Sequence, residues 1–398
     1  MGTKLWVDFY NLRVLMVSSE YPPMQGGVGR YCKKLVNALR MEGTEVLVIS
    51  NRSGDGDFDG ISPTNLNTSQ VLLRLEQEIK PDLVHVQYEH GLYGIHLDPI
   101  SPRKTHTNIE LFYHNSKIPI VTTFHSAYTF KEWMNLVIPV SNRRLGRFGR
   151  LLRMGYDYWT HLLNYKSFRL LNTVKIGPKR EGVVFAKYLS RIIPGSHLIY
   201  HGAEPSIFPE PDKREARKTF SLQADIKIAL ATGFMTATKG WDIIRKMKVP
   251  AGWKIVINTS RNHYNKERIT TNFGSRDIIN LNKGFLNDEE LSLLYYSADA
   301  LILPYKVTSA SGVMFDGLAH NLPFISSNIE FFKEFSQLGL GISIERDPGE
   351  FSRALIKLER DYENYKNAVE TFRKNLLWKE VASKHILLYK SIVDGPDS

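Results

Sequence analysis

The chain has 398 residues, 42% hydrophobic and 23% charged, with a net charge of +11 and a single cysteine, Cys32. That length predicts two or three domains with cores large enough to need no staple, and one thiol excludes an intramolecular disulfide and fits a reducing compartment. No apolar run approaches the roughly 18–20 residues of a membrane span, and Met1 to Tyr10 lacks the apolar core of a signal peptide. Met1-Gly2 opens like a myristoylation site, but Trp6 stands where that site needs Ser or Thr.

In chain order, Arg13 to Ser18 reads as a buried strand and Gly26-Gly27-Val28-Gly29 as a glycine turn. Val28, Tyr31, Leu35, Val36 and Leu39 then recur at helical spacing, Gly43 stops the helix, and Glu45 to Ser50 is the next strand. This is a βαβ unit, which implies a parallel sheet. Further strands are expected at Leu83–Gln87, Ile118–Phe124, Thr173–Ile176 and Ser196–Tyr200. A polar, proline-bearing linker follows at Phe208–Arg214. After it the alternation restarts, with strands at Ile226–Thr232, Trp253–Asn258, Ile278–Asn280, Ala300–Leu303 and Pro323–Ser326, and an amphipathic helix over Lys379–Val393. The fold class is therefore α/β: two doubly wound halves whose ligands sit beyond the strands' C-terminal ends, in the cleft between them.

The most informative stretch is Pro304 to Ala319, where a strand runs through small hydroxyl residues into an apolar helix carrying Asp316. Amides at such a helix start are free, and the helix dipole adds positive potential, so Ser309, Ser311, Gly312 and Val313 form a phosphate seat. Asp316, about one turn further on, suits ribose hydroxyls. The plainer reading is a Ser-capped helix. Gly26 and Gly27 let a backbone approach a diphosphate, but the turn is not G-x-G-x-x-G. The second strand ends in Ser50-Asn51 rather than in an acid, which disfavours a dehydrogenase.

His125 follows a strand and faces the cleft, placed to hydrogen-bond a substrate or carry a proton. Lys239, just past another strand end, can neutralise a leaving diphosphate. The overlapping Asp-x-Asp pairs of Asp55, Asp57 and Asp59 read better as a solvated turn than as a cation site. His85, His90 and His96 with Glu89 and Asp98 have no cysteine beside them and no ligand spacing that points to zinc.

The charge is concentrated between Arg143 and Arg169, where seven basic residues meet one acid, Asp157. Arg144, Arg147, Arg150 and Arg153 share one helical stripe among Trp159, tyrosines and leucines. That pattern suits an interfacial helix on an anionic membrane, against a packed helix whose arginine stems cover core. No groove-reading motif or aromatic RNA platform accompanies the charge, so nucleic acid is not an expected partner.

Taken together these residues resemble glycosyltransferase family 4, over nearly the whole chain. Val17-Ser18-Ser19-Glu20-Tyr21-Pro22-Pro23 with Gly26-Gly27-Val28-Gly29-Arg30 is similar to the family's first loop. His125 falls at its histidine near the transferred sugar. His201-Gly202-Ala203-Glu204 resembles its Asn-Gly-Val-Asp segment. Lys239-Gly240 and Asp242 match Lys-Gly-x-Asp, and Asp316 to Ala319 with Asn321-Leu322-Pro323 match the helix that closes its nucleotide site. Two positions depart: the first of the family's paired glutamates is Thr308, and the arginine before the lysine is Phe234, with Arg261 a substitute cation. The Gln87–Gly94 segment and the Ser309–Gly312 loop resemble a divergent subgroup.

The resemblance implies the GT-B fold. Residues 1–207 would form an acceptor-binding Rossmann-like domain and 208–375 a donor-binding one, with 376–398 a helix crossing back onto the first. It implies a retaining transferase that moves mannose or glucose from a GDP- or UDP-linked sugar to a lipid-linked or polysaccharide glycan. No metal or cofactor is required on that mechanism. His125, Lys239 and Thr308 would lie at the reacting centre. Gly26, Gly27, Lys239, Arg261, Ser309, Ser311, Gly312, Val313 and Asp316 would hold the donor. Arg144, Arg147, Arg150, Arg153 and Trp159 would meet an acceptor or membrane. The expected place is the cytoplasm, peripheral on the inner membrane face. The departing phosphate oxygen is the expected proton acceptor, since no side-chain base is evident in the sequence. The alternative is a non-catalytic sugar-nucleotide-binding or glycan-binding subunit of the same fold.

Overall fold

The computed structural model describes residues 12–94, 96–97, 105–135, 178–261 and 273–394, with isolated helical positions at 149, 152, 155, 158 and 159. Two all-parallel sheets form its two halves. The first holds β1 (Arg13–Val17), β2 (Glu45–Ser50), β3 (Phe58–Asp59), β4 (Leu83–Tyr88), β7 (Ile120–Phe124), β8 (Arg180–Val184) and β9 (His197–Leu198), in the order β3-β2-β1-β4-β7-β8-β9. A small antiparallel pair, β5 (His96–Leu97) and β6 (Thr105–His106), stands apart. The second sheet holds β10 (Lys227–Phe234), β11 (Trp253–Ser260), β12 (Ile278–Asn280), β13 (Ala300–Leu303), β14 (Phe324–Ser327) and β15 (Gly341–Ile344), in the order β12-β11-β10-β13-β14-β15.

Strands buried on both faces need continuous apolar runs, not alternation. Val14, Leu15, Met16 and Val17 of β1 and all four residues of β13 are buried accordingly. The expected strands over Arg13–Ser18, Glu45–Ser50, Leu83–Gln87, Trp253–Asn258 and Ala300–Leu303 appear within two residues. Ile118–Phe124 begins two residues later, at Ile120, and Ser196–Tyr200 shrinks to the two residues of β9. The strand expected at Thr173–Ile176 lies outside the described residues. β8 was not foreseen: Arg180 opens it, and its guanidinium donates to the carbonyls of Ile118 (2.7 Å) and Ser116 (3.0 Å), so a charged residue serves as a buried strand-end clasp.

In both sheets the chain reverses direction of winding beside its first strand. The crevice lies between β1 and β4 in the first half and between β10 and β13 in the second. Ligands of doubly wound sheets sit at such switch points, beyond the strands' C-terminal ends.

One apolar cluster joins the halves, running from Val14 and Tyr31 through Phe185 to Phe315, Trp378 and Leu388. The C-terminal helix Trp378–Val393 belongs to it and packs on the helix Gly27–Met41 of the first half. Polar ties fix its position: Tyr389 Oη meets His85 Nδ1 at 2.6 Å, Lys179 Nζ donates to the Ser391 carbonyl at 3.0 Å, and the Trp378 amide donates to Glu204 at 2.5 Å.

Candidate active site

The switch point of the second sheet builds a cationic seat. β10 ends at Phe234, and the turn after it carries Lys239. Its Gly240 has φ 75°, and a Cβ there would come 1.8 Å from the Pro304 carbonyl oxygen. Only glycine lets the two loops approach so closely, and that approach brings Lys239 over the Tyr305 ring, Nζ 3.8 Å from its centroid. A ring face attracts the ammonium without neutralising it. From β13 the chain passes Thr308 and Ser309 to Ser311, whose Oγ accepts the Met314 amide at 3.3 Å and caps the helix Gly312–Ala319. The capped start leaves first-turn amides directed into the cleft.

From the first half, Gly26 and Gly27 open the helix that carries Arg30 and Lys34 into the same space. All of these, with His201, Asn258, Tyr295 and Asp316, line a cavity of about 220 Å³ between the halves. Arg30 crosses the cleft to Asp316 (2.6 Å) and Asp288 (2.7 Å), and Lys34 reaches Asp288 (3.1 Å). Burial works against the Arg30 charge, and the two aspartates more than offset it.

A second cavity, about 360 Å³, shares Gly27, His201, Ala310 and Gly312 with the first. Glu20, Glu89, His125, Ser126, Tyr128, Thr308 and Ser309 line the rest. His125 stands edge-on to Tyr31 and Phe185, at 5.1 and 5.2 Å between centroids. Burial, with His201 nearby, pushes its pKa down to about 3, so the ring is neutral at physiological pH. Its Nε2 meets Gln87 Oε1 at 2.8 Å, while Gln87 Nε2 faces His85 Nε2 at 3.3 Å and Met16 Sδ at 3.2 Å. Gln87 can satisfy that set only by accepting from His125, which leaves His125 Nδ1 as a hydrogen-bond acceptor. A proton-carrying role for His125 is therefore disfavoured; it is a neutral, oriented ring. Thr308 directs its hydroxyl to the Ala310 carbonyl and supplies no charge.

A model of Glycosyltransferase Family 4 matches residues 25–166. An uncharacterized glycosyltransferase of Methanocaldococcus jannaschii is 22% identical over 95% of this chain and 98% of that protein. Among solved structures, sucrose-phosphate synthase of Thermosynechococcus elongatus superposes with a TM-score of 0.66 at 14% identity, covering 96% of this chain and 100% of that one. Anabaena HepE, solved in complex with UDP-glucose, gives 0.61 at 12% identity over 96% and 99%. The chain has the GT-B fold, and its residues 25–166 resemble the family 4 glycosyltransferases.

Gly26, Gly27, Lys239, Ser311, Gly312, Val313 and Asp316 converge on the first cavity, and His125, Thr308 and Ser309 on the second. Arg261 does not join them: it is exposed just past β11, and Ser260 is the residue of that strand end that lines the cavity. The cations that line the cavity beside Lys239 are instead Arg30, of the glycine-rich segment, and Lys34 one turn on. Asp242 of the Lys-Gly-x-Asp match faces away from the donor space, bound to Arg346 at 2.6 Å. Asp57 is also structural, accepting from the Val48 amide at 2.8 Å and from Arg40 at 3.1 Å. His85 is spent in the network above. Among the described residues no group of three or more potential metal ligands gathers. Arg144, Arg147, Arg150 and Arg153 lie outside the described residues; Trp159 is helical and 58% exposed. No described helix is long and apolar enough to cross a membrane.

Proposed function

We propose that this glycosyltransferase moves a hexose, mannose or glucose, from a UDP- or GDP-linked donor to a hydroxyl of a lipid-linked or polysaccharide glycan, with retention at the anomeric carbon. The observation that carries the reading is the convergence of Lys239, Arg30, Lys34 and the start of the Gly312–Ala319 helix on one cavity of about 220 Å³. Three cations and a helix dipole suit a diphosphate, and stabilising its leaving charge is the largest catalytic contribution such a site offers. Asp316, while held by Arg30, keeps a second oxygen for ribose. The UDP-glucose bound by HepE supports the same donor class. The neutral ring of His125 suits a sugar hydroxyl as partner. The donor is a substrate, and the reading calls for no further cofactor or metal. The arginine stripe and exposed Trp159 support a peripheral place on the inner membrane face.

Thermal shift against UDP, GDP, ADP and their hexose conjugates tests the donor class, because a ligand bound only by the folded state raises Tm. One base should give a clear shift. No shift with any of them at millimolar concentration removes the reading.

A further inference from the structure

The mechanism expected from sequence left the acceptor's proton to the departing phosphate, for want of a side-chain base. The second cavity supplies one. Glu20 and Glu89 leave the C-terminal ends of β1 and β4, the two strands that flank the first sheet's switch point. Both line the cavity that joins the donor space through Gly27, His201, Ala310 and Gly312.

The two carboxylates are held differently. Glu20 is 4% exposed, and its Oε1 accepts the Gly29 amide at 2.9 Å. It fills the space above Gly26 so closely that a Cβ there would lie 1.8 Å from its Cδ. Glu20 thus holds a fixed carboxyl group at the start of the Gly27–Met41 helix. Glu89 stays partly open to the cavity, accepts from the Gly91 and Leu92 amides, and has Ser126 Oγ at 3.5 Å from Oε1. Burial, then the like charge of Glu20, raises its carboxyl to about 7, with the two amides and Ser126 opposing the rise. The phenols of Tyr88 and Tyr128 also face it, both neutral at physiological pH, and among the described residues no cation acts on it.

We propose that Glu89, which lines the cavity adjoining the donor space opposite the fixed Glu20, is the general base that receives the acceptor hydroxyl's proton. The assignment rests on the transferase reading above. As the bond from C1 of the hexose to the β-phosphate oxygen breaks, its electron pair stays with the diphosphate beside Lys239. The acceptor oxygen bonds to C1, and its proton passes to Glu89, which returns it to water after product leaves.

The test uses the full chain, Glu89→Gln and Glu20→Gln, with UDP-glucose and GDP-mannose as donors. Water, octyl α-mannoside and octyl β-glucoside are the acceptors, and diphosphate release is followed from pH 5.5 to 8.5. Calorimetry with UDP and GDP alone, and Tm, establish separately that each variant folds and binds nucleotide. E89Q should bind the diphosphate as the wild type does and lose on the order of 10²-fold in kcat. The wild-type rate should fall on the acid side with a midpoint near 7. E20Q should move that midpoint to lower pH, because the like charge is gone. A merely structural Glu89 would lower Tm without touching the pH profile. E89Q with unchanged rate and profile overturns the base role. So does a wild type that binds nucleotide and turns over none of these acceptors. Failure of the wild type to bind either diphosphate overturns the transferase reading instead.

Discussion

At the switch point between β1 and β4 two carboxylates, Glu20 and Glu89, face the cleft; at the corresponding point between β10 and β13 the groups are Lys239 and the amides of a capped helix start. The architecture is the same twice and the charge is opposite. Arg30 and Lys34 extend the cationic side across the cleft, while Thr308 withholds a carboxylate from it. Such a division places the group that loses a proton beside anions and the group that gains charge beside cations. The wall between the two spaces is neutral: His125, Tyr31, Phe185 and His201 meet edge-on or tilted there.

The largest effect expected is on the buried histidines, of which His125 and His201 belong to that wall. Burial pushes His201, His320 and His385 down to about 4 and His125 to about 3, and holds His85 well below its usual range. Unfolded histidine titrates near 6.5, so below that pH the unfolded chain binds more protons and stability must fall. The contribution is complete above about pH 7 and is lost between 6.5 and about 4. One group held at about 4 costs about 2 kcal/mol at pH 5. Urea midpoints at pH 7.5, 6 and 5 should drop steeply; midpoints flat down to pH 5 would show these histidines to be solvated or charged in the folded state.

On the cationic side, Lys239→Met should lower kcat about 10²–10³-fold, the usual loss of one charge-stabilising donor. The methionine stem still covers Tyr305, so Tm should stay close to wild type. An equal loss in E89Q and K239M with additive pH behaviour would support two independent jobs. A fall in Tm with K239M would make the Tyr305 contact structural.

Next in size is the ion pair that ties the halves. Asp316 is 8% exposed in its side chain and Arg30 26%. Removing one partner of a fully buried pair costs roughly 3–5 kcal/mol; with a quarter of the arginine exposed, Arg30→Met should cost about 2 kcal/mol. Arg30→Met with Asp316→Asn should cost less than the sum of the two single changes, since no lone buried charge remains. Additive costs in denaturant titrations would mean that the halves are held by the aromatic cluster alone.

The fold was legible because its signals are local. β1, β2, β11 and β13 are short apolar runs between turn residues, and period and length alone identify them. β8 escaped because it opens with Arg180-Glu181-Gly182, and only long-range carbonyls at 113 to 118 explain the arginine. The cationic seat was equally visible, since each part is local: Lys239 just past the end of β10, and the small residues and helix start just past the end of β13. Nothing local favours Arg30 over Arg261 as the second cation, because sequence does not give the distance from residue 30 to residue 316. Glu89 was visible only as a neighbour of histidines. Its burial beside Glu20, 69 positions away, is a property of the sheet's winding.

The smallest effect separates two readings of one hydroxyl. Ser311 accepts the Met314 amide at 3.3 Å and lies 3.5 Å from Tyr305 Oη. If it only caps the helix, Ser311→Ala costs about 1 kcal/mol of stability and Ser311→Gly a few tenths. Nucleotide affinity then follows the amides, which both variants keep, and changes less than about threefold. If the hydroxyl also reaches the diphosphate, alanine and glycine should lose affinity alike, by roughly tenfold, whatever they do to Tm. Calorimetry on both variants beside their melting curves distinguishes the two. The cap geometry favours the first outcome, because the oxygen's best-placed partner is already the helix's own third amide.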